Sequence, residues 1–108
     1  MGTSLDPQQR IVKNTAYPTV LFADKITVGT TATQLYNVAK SGWITIKADA
    51  ENSAEVTIGT ALVAADDGYV LSADQEVTIE HNKLSDIYAI HGDQSTNYVY
   101  IIGSYKDS

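Results

Sequence analysis

Two histidines, His81 and His91, are the side chains of this sequence that are best suited to acid–base chemistry or to metal binding. Each stands beside a turn signal, and neither belongs to a His-x-His or His-Glu-x-x-His arrangement. A protein zinc site needs several converging ligands, and the chain has no cysteine to complete one. A Gly-x-Ser-x-Gly motif, which would mark a serine nucleophile, is also absent. The sequence therefore predicts a protein that is not an enzyme and holds no cofactor.

The run Asp66-Asp67-Gly68 offers carboxylate oxygens, which are the ligands that Ca²⁺ prefers. The loop pattern of an EF-hand does not surround it. Asp-Gly is also a favoured pair in tight β-turns, because both residues tolerate positive φ. We interpret the run as a turn between two strands.

The aromatic residues are skewed, with seven tyrosines against one phenylalanine. Tyr98 and Tyr100 share one face of the last predicted strand, and Trp43 shares a face with Thr45 and Lys47. Tyrosine is enriched at protein interfaces because its ring is apolar and its hydroxyl is polar. Three interpretations of Trp43 stay open: a subunit contact, a core residue at the edge of the fold, and a platform for sugar stacking.

Charge excludes two classes of partner. The chain has 7 basic and 13 acidic residues, a net charge of −6, and no cluster of Lys or Arg. Binding to nucleic acid or to an anionic membrane requires such cations, so neither partner is expected. The first residues lack the apolar stretch of a secretory signal, and no apolar run is long enough to span a membrane. Without cysteines, the chain suits assembly in a reducing cytoplasm.

Apolar and polar residues alternate from Lys25 onward, which is the pattern of half-buried β-strands. Ile44, Ile46 and Ala48, for example, fall on one face of a single segment. Strands are predicted at 26–28, 42–50, 55–59, 76–80, 86–91 and 97–105, separated by turns rich in Gly, Asn and Asp. The pattern predicts an all-β antiparallel β-sandwich, jelly-roll-like or immunoglobulin-like, with the strand order open.

Residues 1–24 differ from this pattern, because they carry both prolines, Pro7 and Pro18, and several isolated apolar residues. Proline disfavours a helix here, so we predict an extended N-terminal arm over residues 1–24 and a β-sandwich domain over residues 25–108. The alternative is a disordered tail or a cloning remnant. The apolar side chains favour the arm, since they need burial on this domain or on a neighbour.

The ordered segments from Ile26 to Gly103 resemble small structural domains of tailed bacteriophages. The resemblance is carried by six segments in sequence order: Thr30 to Leu35, Ser41-Gly42 with Ile44 to Ala48, Val56 to Gly59, Gly68 to Ser72, Glu76 to Ile79, and Leu84 to Ile90, before a closing strand near Tyr100 to Gly103. This chain departs from those domains at Trp43, where they often have a basic residue, and at Asp74-Gln75, where they often have Pro-Gly.

The resemblance implies a non-catalytic virion protein that decorates or stabilises the capsid, with the major capsid protein or other virion proteins as partners. A tail, neck or baseplate component is the alternative, and a carbohydrate-binding module is a more distant one. A homotrimer is expected, because sites on an icosahedral lattice often have threefold symmetry. Localisation would be the virion, after assembly in the bacterial cytoplasm. Candidate contact residues are Ile11, Val12, Tyr17, Leu21, Phe22, Trp43, Tyr98 and Tyr100.

Overall fold

A computed structural model of the protein describes residues 19–107, which form eight β-strands and one short 3-10 helix. The strands are β1 (Thr19–Val28), β2 (Thr33–Gln34), β3 (Gly42–Ala48), β4 (Val56–Gly59), β5 (Tyr69–Leu71), β6 (Glu76–His81), β7 (Tyr88–Ile90) and β8 (Asn97–Lys106). The 3-10 helix spans Leu84–Asp86, between β6 and β7. The predicted all-β antiparallel sandwich is confirmed.

The strands form two four-stranded antiparallel sheets, the first in the order β1-β8-β3-β6 and the second in the order β2-β7-β4-β5. The first strand therefore pairs with the last, the second with the seventh, the third with the sixth, and the fourth with the fifth. Every connection except β4–β5 crosses from one sheet to the other. This is the strand order of a jelly roll, which decides between the two predicted outlines.

The core lies between the sheets and follows the predicted alternation. Ile44, Ile46 and Ala48 of β3 are fully buried, as are Val56 of β4 and Val99 of β8. Burying one large aliphatic side chain contributes about 1.5–3 kcal/mol, so this layer supplies most of the favourable free energy of folding. Among residues 19–107, every buried side-chain nitrogen or oxygen has a hydrogen-bond partner.

The predicted boundary between arm and domain, after residue 24, falls inside β1. All ten residues of β1 pair with β8, from Thr19 opposite Lys106 to Val28 opposite Asn97. Residues 19–24 therefore belong to the sandwich. The alternating pattern begins only after them, and they form a strand because β8 supplies their backbone hydrogen-bond partners. The rest of the predicted arm, residues 1–18, lies outside the described residues.

Candidate interaction surfaces

The outer side of the first sheet carries apolar side chains, whereas the solvent side of a sandwich is normally polar. Leu21 on β1 is 70% exposed, Ile102 on β8 is 45% exposed and Tyr100 on β8 is 44% exposed. We call this patch the apolar face, and it also includes exposed Ala23 on β1 and half-buried Trp43 on β3.

Strand register brings these residues together from three strands. Ala23 lies opposite Ile102, and Leu21 lies opposite Ser104, whose other neighbour across the sheet is Trp43. Cross-strand neighbours have their Cβ atoms about 5 Å apart, so the side chains form one contiguous patch.

Cations border the apolar face on one side. The ammonium of Lys25 lies 4.1 Å from the ring centroid of Tyr98 and 5.6 Å from that of Tyr100. Such cation–π contacts contribute about 0.5–1 kcal/mol at exposed sites, and they hold Lys25 over the two tyrosines. Lys47 on β3 forms a second polar contact, with its Nζ 3.3 Å from a carboxylate oxygen of Asp74.

A side-chain amide fixes the backbone of Tyr98. The Nδ2 of Asn52 donates to the carbonyl of Tyr98 at 2.8 Å, and the N–H of Tyr98 donates to Oδ1 of Asn52 at 2.9 Å. The N–H of Asp49, the residue after β3, also donates to the Tyr98 carbonyl, at 3.1 Å, so Asn52 adds to a contact that the backbone already makes. This connection holds the loop after β3 against the start of β8.

Among the predicted contact residues, Leu21, Trp43 and Tyr100 come together on the apolar face, and Tyr98 lies half buried at its border. Ile102 also belongs to the apolar face but is not among the predicted contact residues; its strand parity, shared with Tyr98 and Tyr100, is the sequence signal for it. Ile11, Val12 and Tyr17 lie outside the described residues.

Phe22 requires a correction. It is only 7% exposed and packs in the core, because successive strand residues point to opposite faces and Leu21 points outward. Its ring stacks on Tyr36 and also contacts Tyr105. Phe22 therefore stabilises the sandwich and is not available as a surface contact.

A second apolar surface lies at the opposite edge of the first sheet, between β6 and the second sheet. This groove has a volume of about 620 Å³ and is lined by Ile58, Leu62, Tyr69, Ile79, Ile87 and Tyr88 among others. We call it the edge groove. Leu62 is 91% exposed and Tyr69 is 58% exposed, so apolar side chains also form its rim. Concave, mostly apolar sites of this size commonly bind ligands or peptide segments.

One polar pair lies in the wall of the edge groove. Nε2 of His81, at the end of β6, is 3.0 Å from Oδ2 of Asp86 in the 3-10 helix. Both side chains are substantially exposed, at 40% and 49%. The pair joins the end of β6 to the 3-10 helix that follows it, and it gives the groove one acidic group.

The run Asp66-Asp67-Gly68 forms a turn, as predicted. Asp66 has φ of 63°, and the N–H of Asp67 donates to the carbonyl of Ala64 at 3.0 Å. Across residues 19–107, no three His, Cys, Asp or Glu side chains converge in a group that could hold a metal ion.

The same part of the chain contains no helix that is long and apolar enough to span a membrane. Comparison with models of known protein families gives no match to this chain, and a search of curated proteins gives none at significance.

Proposed function

We propose that this protein is a non-catalytic structural component of a bacteriophage virion, and that it binds the capsid lattice and stabilises it. The observation that carries the proposal is the apolar face, with Leu21, Tyr100 and Ile102 exposed on a rigid sheet. Contiguous exposed apolar patches mark sites of protein association. The resemblance of the segment order to phage structural domains supplies the class of partner, the major capsid protein or another virion protein.

The composition of the apolar face suits a protein partner. Aromatic and aliphatic side chains at its centre give area to bury, and Lys25 and Lys47 add charges at its margin. Because all of these residues stand on paired strands, binding orders few main-chain groups. Less conformational entropy is then lost on association, which favours affinity.

We further propose that the protein acts as a homotrimer at positions of threefold or quasi-threefold symmetry. Copies placed around such an axis present the same surface to equivalent lattice subunits, so weak contacts add through multivalency. Light scattering coupled to size exclusion should give a mass of three chains. A monomer at all accessible concentrations would contradict this part of the proposal.

Co-sedimentation with capsids that lack the protein tests the main proposal. We expect Leu21→Glu to weaken binding by about tenfold to a hundredfold, because loss of one buried aliphatic contact costs about 1.5–3 kcal/mol. Thr27→Glu is the matched control, since Thr27 is exposed on the same side of the same strand, six residues from Leu21 and opposite Tyr98 at the border of the apolar face.

Equal binding of both variants would show that the apolar face is not the contact. Failure of the wild-type protein to bind capsids, together with binding to tails or baseplates, would favour the tail, neck or baseplate alternative. A shift of Trp43 fluorescence on addition of glycans would favour a carbohydrate-binding module, and Trp43 reports unambiguously because it is the only tryptophan.

A further inference from the structure

We propose that the edge groove binds the N-terminal segment of the same chain, with Ile11 and Val12 in the apolar groove. This inference does not depend on the proposed virion function. It assigns an occupant to a groove whose apolar rim residues, Leu62 and Tyr69, are exposed in residues 19–107.

The N-terminal segment joins the sandwich at the same end as the groove. Thr19 lies opposite Lys106, whose N–H donates to the carbonyl of Ser41 at 3.1 Å. The Ser41 hydroxyl in turn donates to the carbonyl of Asn82 at 3.3 Å. His81, the residue before Asn82, lines the edge groove. The start of β1, the end of β8, the start of β3 and the end of β6 therefore lie side by side, between Thr19 and the groove.

Surface clefts follow this row of strand ends. One cleft is lined by Thr19, Trp43 and Tyr105, and a second is lined by Trp43, Glu80 and His81. The second cleft shares His81 with the edge groove. A chain that runs back from Thr19 thus passes two clefts before it reaches the groove.

The length of the segment matches the distance. Three strand spacings separate β1 from β6, which is about 14 Å, and the two sheets lie about 10 Å apart. Val12 and Ile11 are seven and eight residues from Thr19, which in extended conformation span about 23–29 Å. Both residues are therefore within reach of the groove of their own chain, and Pro18, within this span, disfavours helical backbone at Tyr17.

Charge favours the same occupant. The residues before Thr19 include two basic and one acidic residue, whereas the rest of the chain includes five basic and twelve acidic residues. Arg10 and Lys13 directly flank Ile11 and Val12, and Glu80 and Asp86 lie along the path and in the groove wall. A basic, apolar segment is thus complementary to the apolar groove and to Glu80 and Asp86, although Lys106 also lines the two clefts on the path.

Disulfide trapping tests the proposal, because the native chain has no cysteine. The pair Val12→Cys with Leu62→Cys places one thiol in the segment and one at the exposed groove rim. The control pair is Val12→Cys with Ala23→Cys, since Ala23 is exposed on β1 and lies closer than the groove to the start of the strand. We expect the groove pair to oxidise several-fold faster, to a monomer with an internal disulfide.

Equal or slower oxidation of the groove pair would overturn the proposal, as would disulfide-linked dimers in place of internally linked monomers. A second measurement leaves the groove unmodified. Ile11→Ser with Val12→Ser should increase the fluorescence of an added apolar dye, ANS, relative to Asn14→Ser. Unchanged dye binding in the double variant would count against occupancy of the groove by this segment.

Discussion

The ring of Phe22 stacks on the ring of Tyr36, with centroids 3.8 Å apart and planes 10° from parallel. Phe22 belongs to β1 of the first sheet, and Tyr36 follows β2 of the second sheet. Tyr105 contributes a third ring, 6.2 Å from each of the other two centroids. β1 and β2 are edge strands of the first and second sheet. The aromatic cluster therefore links the two sheets at these edges.

We expect Phe22→Ala to lower the free energy of unfolding by about 3–5 kcal/mol, because it removes a buried ring and the stacking of that ring on Tyr36. Leu21→Ala is the matched control and should change stability by less than about 1 kcal/mol, since Leu21 is 70% exposed. Urea unfolding followed by circular dichroism measures both values. Equal losses would contradict the placement of Phe22 in the core.

Gly103 lies beneath this cluster, and we expect Gly103→Ala to be destabilising by about 1–3 kcal/mol. A Cβ atom at this position would lie 2.2 Å from the carbonyl oxygen of Trp43 and 2.5 Å from Cζ of Phe22. At Gly29 the nearest atom to an added Cβ is Thr33 Oγ1, at 3.4 Å, so Gly29→Ala should have a much smaller effect. Thermal unfolding of the two variants distinguishes them, and a stable Gly103→Ala variant would contradict the close strand packing.

Alkaline pH should weaken the fold through Tyr36. Burial raises the pKa of Tyr36 above its usual value of 10.0, and the neighbouring Tyr105 and Asp24 raise it further. The folded protein therefore keeps this proton where the unfolded chain releases it. The stabilising contribution is fully present below pH 10.0 and is lost as pH rises through the higher folded pKa.

Tyr36→Phe removes the ionisable hydroxyl and keeps the stacked ring. Its stability should therefore fall less steeply above pH 10.0 than that of the wild-type protein. Urea unfolding over a series of alkaline pH values is the measurement. Parallel curves for the two proteins would assign the alkaline loss to other groups.

Acidic pH should loosen the loop that precedes β8. The Ser95 hydroxyl, then the Gln94 N–H and the Ser53 hydroxyl, lower the pKa of Asp93 below its usual value of 3.8 by hydrogen bonds to its carboxylate. The stabilising effect is present above pH 3.8 and is lost as pH falls through the lower folded pKa. Asp93→Asn should flatten this acid dependence. An unchanged acid limb in the unfolding curves would argue against a role for the carboxylate.

We expect Asn52→Ala to cost about 1–2 kcal/mol, because it leaves the N–H of Tyr98 without its partner at 2.9 Å, whereas the carbonyl of Tyr98 keeps the N–H of Asp49 at 3.1 Å. Exposed Asn37 provides the matched control, Asn37→Ala. Hydrogen exchange should show a local loss of protection at the Tyr98 amide. Retained protection in Asn52→Ala would mean that another group satisfies this amide.

The alternation of apolar and polar residues predicts the strands whose pattern is local. It puts Ile44, Ile46 and Ala48 on one face of β3, and all three are buried. The start of β1 was not predicted, because its first residues follow a proline and gain strand structure only from pairing with β8. For the same reason Phe22 was assigned to a contact surface, although its side chain points into the core.

The sequence predicts less of the candidate surfaces than of the fold. The residue types of Trp43 and Tyr100 indicate a contact surface, but the full apolar face depends on the register of three strands. The edge groove gave no sequence signal, because its lining residues, such as Ile58, Leu62, Tyr69 and Ile87, come from separate segments of both sheets and their loops. Only the jelly-roll strand order brings these segments together.

The pairing of β1 with β8 also constrains how the protein is made. Residues 19–28 have no partner strand until residues 97–106 have left the ribosome, so β1 stays unpaired while the intervening strands are made. Folds dominated by such distant pairings are slow to form and expose apolar strands in the meantime. The apolar side chains of β1, Phe22 among them, therefore remain without their β8 neighbours until that strand has been made.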